Sequence, residues 1–437
     1  MSNSIPPRHP PILFVTWIVI LVALPLPLVL ALHSGLIESP GNMLLYDAGL
    51  VAYVWWLASV VLSTRPRWLD RHVGLPALYA VHGMLGVLAI VLATIHVQFS
   101  FSMHAIIRNL GFAAWHVGLF SILYAGFFLS GILVDRFPFA ARVKSRLQFF
   151  FKHELSIWIH RLNLVMIALI WLHVHVIPRI SRMTGFMIVF DAYTLVGFAA
   201  YAWYKSVAPS SERRSGLVIE NTEIAPDVHQ ITIRLGTKAP QYRAGDFYFL
   251  RFPHVRGVSP QAHPFSVTFA PNNARTVTFT VKGLGDFTRS LKNVTAGTDV
   301  RLEGPYGRFD PIISATDRTV PLVLIGMGTG LAPLVSIAGR YASQRRIQLL
   351  WSVRSDEKDM FSDELERLSV SNRERVSITR HLHRFRSDDY QDLIDASTMQ
   401  TASFIIVGPA NAVITTKRIL RGLGVPHARI LDERLTM

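Results

Sequence analysis

Six stretches of nearly unbroken apolar sequence fill the first half of the chain, at about 11–33, 43–63, 76–99, 112–134, 156–178 and 184–205. Each is near the ~20 residues a helix needs to cross a bilayer. Beyond about Val207 the pattern turns soluble. Short alternating segments, Val228–Leu235, 247–252 and Thr276–Lys282, are punctuated by Gly and Pro and predict strands of an antiparallel β-barrel. From Val320 the rhythm becomes βα, with strands at 320–325, 348–352 and 404–407 and a helix at 363–368. A Pro- and Ser-rich stretch at 209–216 reads as the linker. The expected fold class is a multidomain membrane protein: a six-helix transmembrane bundle over 1–207, an antiparallel β-barrel domain over 208–312 and an α/β Rossmann-like domain over 313–437.

Half of the residues are apolar and none is cysteine. The missing thiols exclude disulfides, thiolate-held zinc and cysteine-ligated iron–sulfur clusters. A redox centre here is therefore organic, or a metal held by His, Met, Tyr or carboxylate. The net charge of +15 does not point to nucleic acid, because much of the basic charge gathers at the ends of apolar stretches and forms no stripe with interleaved aromatics. It points to the lipid bilayer. Arg65, Arg67 and Arg71 follow the second stretch; Arg136, Arg142, Lys144, Arg146 and Lys152 follow the fourth; Lys205, Arg213 and Arg214 follow the sixth. The opposite loops hold only Arg108, Arg179 and Arg182, and the first of them offers Glu38 and Asp47. The positive-inside rule then predicts a multi-pass protein of the cell membrane with both termini in the cytoplasm. The first stretch is too long for the core of a signal peptide and lacks a small-residue cleavage site.

Ionisable residues inside spans are costly and mark function by default. His82 and His96 stand in the third stretch, His160 and His173 in the fifth. Those two stretches run the same way, so His82 shares its depth with His160, and His96 with His173. Separations of 14 and 13 residues correspond to about 21 and 20 Å of helix axis. Two imidazole pairs stacked in this way can each hold a haem by bis-histidine ligation, a six-coordinate arrangement suited to electron transfer. On an ideal helix His160 and His173 lie about 140° apart, whereas His175 lies only about 60° from His160. Spacing alone leaves both His173 and His175 open as the outer ligand, with His173 requiring a bent or rewound fifth helix. His72, His104, His116 and His153 lie near span ends and read as solvated or interfacial. Arg161, Arg179 and Arg182 suit haem propionates or, equally, anchors at the interface.

This layout resembles the ferric reductase-like membrane domain shared by NADPH oxidases and ferric reductases. His160-Arg161-Leu162 followed by Leu172-His173 is similar to that family's fifth helix. The resemblance implies a b-type haem at each depth, and it favours His173.

The soluble half carries further motifs. His263-Pro264-Phe265-Ser266 is similar to the flavin-binding strand of the ferredoxin–NADP reductase superfamily, which implies that these residues line the isoalloxazine ring of FAD. Lys282 then leads into Gly283-Leu284-Gly285-Asp286-Phe287-Thr288, whose glycines let backbone amides approach a diphosphate and whose Thr can donate a further hydrogen bond. Glu303-Gly304-Pro305-Tyr306-Gly307 is similar to the superfamily's Gly-Pro-aromatic-Gly turn. Gly326-Met327-Gly328-Thr329-Gly330-Leu331-Ala332-Pro333 joins a strand to a helix, a junction that places a diphosphate against helix-terminal amides. With Gly408-Pro409 closing a later strand, the succession resembles the superfamily's NAD(P)H lobe. Arg354 and Ser355 are placed to bind a 2′-phosphate, which favours NADPH over NADH. Val407 stands where the superfamily usually has Cys, and Leu435 near a terminus where an aromatic often covers the flavin.

The expected protein is an NAD(P)H oxidase or ferric reductase. Electrons pass from cytosolic NAD(P)H through FAD and two b-type haems to an acceptor across the membrane. No protein acid, base or nucleophile is assigned, because the cofactors carry the chemistry. Oxygen, giving superoxide, leads the acceptors; a ferric chelate or a periplasmic redox partner protein are the alternatives. NADPH oxidases often place a His and an Arg where this chain has Ser100 and the segment 42–46, a departure from a dedicated superoxide site.

Overall fold

The structure is a computed structural model that describes residues 11–128, 143, 146, 153–207, 215–354 and 360–435. Expectations for Arg136, Arg142, Lys144, Lys152, Arg213, Arg214, Ser355, residues 129–134 and most of the 209–216 linker lie outside the described residues. The chain forms two compact units. One contains Ile12–Pro66 and Pro76–Lys205; the other contains Ser206–Met437 together with the short segment Arg67–Leu75.

Six helices of the first unit are long and apolar enough to cross a membrane: Phe14–His33, Pro40–Leu62, Leu75–Phe99, Ala105–Phe128, Leu155–His175 and Thr184–Ser206. The first is rewound as a π-turn over Val19–Ala23 just before Pro25 and Pro27, which lack the amide hydrogen an α-helix needs. The second starts at Pro40, with Ser39 accepting from the Asn42 amide. The fourth begins at Ala105 rather than near 112, so Arg108 belongs to the helix itself. Arg108 and Asn109 dilute the apolar signal of that first turn, and hydropathy alone therefore places the start too late. The fifth is interrupted at Arg161, between His153–His160 and Leu162–His175. There the Arg161 amide is shared between the carbonyls of Ile157 and Trp158, each at 3.1 Å, and the next turn tightens.

Helix packing in this unit is tight where side chains are small. A Cβ at Gly118 of the fourth helix would lie 2.5 Å from Met166 Sδ of the fifth. Tyr53 and Phe190 stack at 4.9 Å, and Tyr53 exchanges a 2.8 Å hydrogen bond with Thr194 across the second and sixth helices.

The second unit holds two sheets. Strands β1 (Ser215–Ala225), β2 (Val228–Leu235), β3 (Phe247–Arg251), β4 (His263–Ser266), β5 (Thr276–Lys282) and β6 (Asp299–Tyr306) form a six-stranded antiparallel sheet ordered β4-β3-β6-β1-β2-β5. The bridge Val267–Phe279 and the 2.8 Å bond from the Thr268 amide to the Thr278 carbonyl bring the segment after β4 against β5, so the two ends of the sheet order touch. Strands β7 (Leu322–Met327), β8 (Ile347–Ser352), β9 (Val376–His381), β10 (Ser403–Pro409) and β11 (Ile430–Leu435) form a parallel sheet ordered β11-β10-β7-β8-β9. Its inner strands are buried on both faces, which is why 322–327 reads as a continuous apolar run.

Candidate functional site

The third and fifth helices bring four imidazoles together as two pairs. His82 and His160 have ring centres 5.9 Å apart, and His96 and His173 6.5 Å apart. Metal–imidazole bonds of about 2 Å on opposite faces of one iron would put two ring centres about 6.3 Å apart. Both pairs fit that span. In three of the rings Nδ1 meets a backbone carbonyl: His82 that of Ser59 at 3.0 Å, His96 that of Leu45 at 2.8 Å, and His173 that of Ile107 at 2.9 Å. A carbonyl only accepts, so each Nδ1 carries the hydrogen and Nε2 keeps its lone pair for a metal. The Asn163 amide lies 3.4 Å from Nδ1 of His160, and the Ser100 hydroxyl 3.3 Å from Nδ1 of His96.

The outer pair depends on two glycines. A helical carbonyl is reached only if no side chain four residues on blocks it. Gly49 follows Leu45 by four residues, and Gly111 follows Ile107 by four. A Cβ at Gly49 would lie 3.2 Å from His96 Nδ1, and one at Gly111 3.2 Å from His173 Cε1. His175 turns elsewhere, placing Nε2 3.4 Å from Asp191 Oδ1. The interruption at Arg161 resets the helical phase and turns His173, not His175, toward His96. Arg179 is engaged by Glu38 at 2.6 Å and by the Tyr46 hydroxyl, while Arg161 lies over the Trp158 ring.

In the other unit, β4 is the terminal strand of the sheet order and its ladder partner is β3, a position that tolerates Pro264. Ser266 donates to Glu433 Oε1 at 3.0 Å, joining β4 to β11. Burial pushes the Glu433 carboxyl up to about 7, against the Ser266 hydrogen bond that lowers it. Sequence reasoning assigned Glu433 no role; an acidic residue on a strand pairing with the buried β10 was the available signal.

Phe287 and Thr288, both expected at the flavin site, also make contacts within the chain. Phe287 is buried and stacks on His263 at 3.9 Å, so its ring belongs to the core. Thr288 Oγ1 accepts from the amides of Leu284 and Gly285, both at 2.9 Å, and lies 3.1 Å from the Gly285 carbonyl. The short helix Asp286–Ser290 caps itself in this way, a hydroxyl three residues into the turn accepting from the open amides. Gly285 itself faces open space, with Asp286 exposed beside it, and Lys282 closes β5 opposite Val228.

The parallel sheet runs outward in two directions from its centre: β7, β8, β9 one way and β10, β11 the other. Open α/β sheets bind ligands at the carboxyl ends of the strands flanking such a reversal. Here those ends are Gly326 to Gly330 after β7 and Gly408-Pro409 at the end of β10. They approach so closely that a Cβ at Gly330 would lie 2.5 Å from the Val407 carbonyl oxygen, and one at Gly408 2.8 Å from Met327 Cβ. Thr329 sits in the loop between them, and the buried Trp351 holds the Gly328 carbonyl at 3.1 Å. Arg354 is exposed just past β8, and Leu435 pairs with Pro409 at the end of β11.

The segment Arg67–Leu75, which lies between two apolar helices in sequence, is built into this unit by its charges. Arg71 makes a bidentate pair with the buried Asp246, both bonds at 2.8 Å, and also donates to the Gly307 carbonyl. Arg67 donates to the Gly304 carbonyl, Asp70 accepts from the Gly307 amide, and Arg308 donates to the Val73 carbonyl. Burial raises the Asp246 carboxyl to about 6, outweighing Arg71.

Comparison with known proteins agrees with this arrangement. Residues 218–310 match the family described as FAD-binding domain, and residues 324–410 the family described as oxidoreductase NAD-binding domain. Reductase component 1 of terephthalate 1,2-dioxygenase from Comamonas sp is 26% identical over 159 residues, covering 35% of this chain and 45% of that protein. Respiratory burst oxidase homolog protein E from Arabidopsis thaliana is 25% identical over 172 residues, covering 33% of this chain and 17% of that protein. The crystal structure of the Amycolatopsis cytochrome P450 reductase GcoB aligns with 22% identity and a TM-score of 0.45, over 51% of this chain and 70% of that one. The chain spans less than half the length of these two curated relatives. It contains an FAD- and NAD-binding electron-transfer reductase module and is an oxidoreductase.

Proposed function

We propose that the chain is a membrane-embedded NAD(P)H oxidase of the ferric reductase-like type. It moves electrons from cytosolic NAD(P)H, through FAD and two b-type haems, to oxygen on the far side of the membrane, giving superoxide. When bound, FAD divides the electron pair of a hydride and each haem iron carries one electron at a time. The observation that carries the reading is the pair of imidazole couples spaced for axial ligation, 5.9 and 6.5 Å between ring centres. His82 and His160 would hold the inner haem and His96 and His173 the outer one. The carbonyls of Ser59, Leu45 and Ile107 fix the tautomers that leave Nε2 available.

In the reductase module, His263, Phe265 and Ser266 on β4 would line the flavin, with Gly304 at the neighbouring turn. Glu433 and Ser266 hold a proton between them at that strand. The carboxyl ends of β7 and β10 would seat the dinucleotide, with Arg354 toward a 2′-phosphate. Leu435 would cover the flavin without the stacking an aromatic ring provides. The excess of Lys and Arg after the second, fourth and sixth helices supports cytoplasmic termini, and the respiratory burst oxidase relative supports the oxidase class.

The test is spectroscopic. Detergent-extracted protein expressed with ample haem should show a reduced b-type α-band on adding NADPH. His82→Ala should lose about half the haem, His96→Ala the other half, and His175→Ala none. Flavin absorption without any b-type band would overturn the reading.

A further inference from the structure

The glycine loop 326–330 at the carboxyl end of β7 is held from one side by β8. Trp351 is wholly buried and pairs in register with Gly326, and its Nε1 donates to the Gly328 carbonyl at 3.1 Å. The indole is itself fixed by the Phe361 ring, which meets it edge-on at 6.0 Å. The helix Leu331–Tyr341 starts close above the strand: a Cβ at Gly326 would lie 3.1 Å from Leu331 Cα. Gly328 has φ +56°, and its carbonyl also accepts from the Leu331 amide. Both lone pairs of that oxygen are therefore in use.

The direction of this carbonyl fixes the direction of an amide. In a trans peptide the C=O and N–H point opposite ways, and Gly328–Thr329 is trans. With the Gly328 oxygen turned toward Trp351, the Thr329 N–H turns away from it. That N–H stands ahead of the first complete helical turn, where an amide has no carbonyl of its own helix to bond. Trp351 and Ser352 point to opposite faces of β8. On the Ser352 face, Met327, Ser352, Tyr390 and Thr415 line a cavity. Glycine at 328 gives the turn little order of its own, because it populates many backbone conformations. The contact from Trp351 supplies that order.

We propose that Trp351 is a positioning residue for the dinucleotide, holding the Gly328–Thr329 peptide so that the Thr329 amide faces the diphosphate before the ligand arrives. This rests on the dinucleotide seat given under Proposed function and adds to it the residue that sets its shape. A donor already fixed in direction binds without first being ordered. Without the indole N–H, the turn at Gly328 gains a freedom that binding has to remove, and affinity falls. Hydride transfer at saturation is untouched, because Trp351 acts on the ligand only through the peptide it holds. The effect falls equally on NADH and NADPH, since both carry the diphosphate.

The experiment uses the full chain loaded with FAD. Calorimetry measures binding of ADP-ribose, which carries the diphosphate but no nicotinamide. Stopped flow measures anaerobic flavin reduction by NADH and NADPH. Trp351→Phe keeps an aromatic ring and removes the N–H. It should weaken ADP-ribose, and raise the half-saturating concentration of both nucleotides, about tenfold, the weight of one hydrogen bond to a charged group. FAD content and the limiting rate of flavin reduction should stay unchanged. Thr329→Ala keeps the amide, and Thr329→Pro removes it in a first turn that tolerates proline. In the Thr329→Ala background Trp351→Phe should again cost about tenfold. In the Thr329→Pro background it should cost almost nothing, because the donor it positions is gone. Wild-type affinity in Trp351→Phe, or equal losses in both backgrounds, overturns the proposal. Should Trp351→Phe fail to retain FAD, Thr329→Pro against Thr329→Ala decides: weaker ADP-ribose binding supports the proposal, and equal binding overturns it. A wild type that neither binds ADP-ribose nor takes electrons from NADH or NADPH overturns the dinucleotide seat itself instead.

Discussion

At the scale of single residues, the placement of hydrogens on imidazole decides what the spans can hold. Carbonyls at Ser59, Leu45 and Ile107 fix Nδ1–H, and two of these carbonyls are reachable because Gly49 and Gly111 follow them by one turn. Gly111→Val should push the His173 ring off its carbonyl and lower the content or shift the spectrum of the outer haem, with the inner haem retained; difference spectra would check it. Glu433 and Asp246 predict how stability depends on pH. Their carboxyls are raised from 4.5 to about 7 and from 3.8 to about 6, so the unfolded chain ionises first as pH rises. The stability these two groups contribute is therefore full below the unfolded values and is lost as pH rises toward the folded values. Melting curves of the flavin-free protein should lose a few degrees between those limits, and Glu433→Gln should flatten the upper part of that slope.

At the scale of elements, one interruption and one short segment carry most of the consequence. The break at Arg161 lets two histidines thirteen residues apart serve one face of the bundle, which a continuous helix would not do. The segment Arg67–Leu75 takes its place through Arg71 and Asp246. Arg71→Ala leaves a buried carboxylate without its partner, and breaking such a pair costs about 3–5 kcal/mol. The melting temperature should drop accordingly, and Asp246→Asn in the same chain should recover part of the loss. Recovery would separate an uncompensated charge from lost packing.

At the scale of the whole molecule, the proposed preference of the reductase module for NADPH can be tested at one side chain. Arg354 is exposed past β8, on the carboxyl edge of the parallel sheet. Arg354→Ala should raise KM for NADPH about tenfold, the weight of one charge-assisted contact, and leave KM for NADH nearly unchanged. Steady-state flavin reduction with both nucleotides would check this, and equal effects would remove Arg354 from the 2′-phosphate site.

The linear pattern of apolar residues was enough to determine six spanning-length helices, the passage to alternating strands and the βα rhythm, because burial in lipid, on one sheet face or on both leaves different periods. Tertiary structure decided what periodicity cannot encode. It turned the His173 ring, and not that of His175, toward His96, because helical phase is lost at an interruption that no single residue announces. It packed Phe287 against His263 and set Thr288 to cap its own helix, contacts that the motif by itself does not announce. It brought Ser266 to Glu433, 167 residues apart, and Arg71 to Asp246, 175 apart, since contacts between distant segments depend on sheet order and not on local propensity.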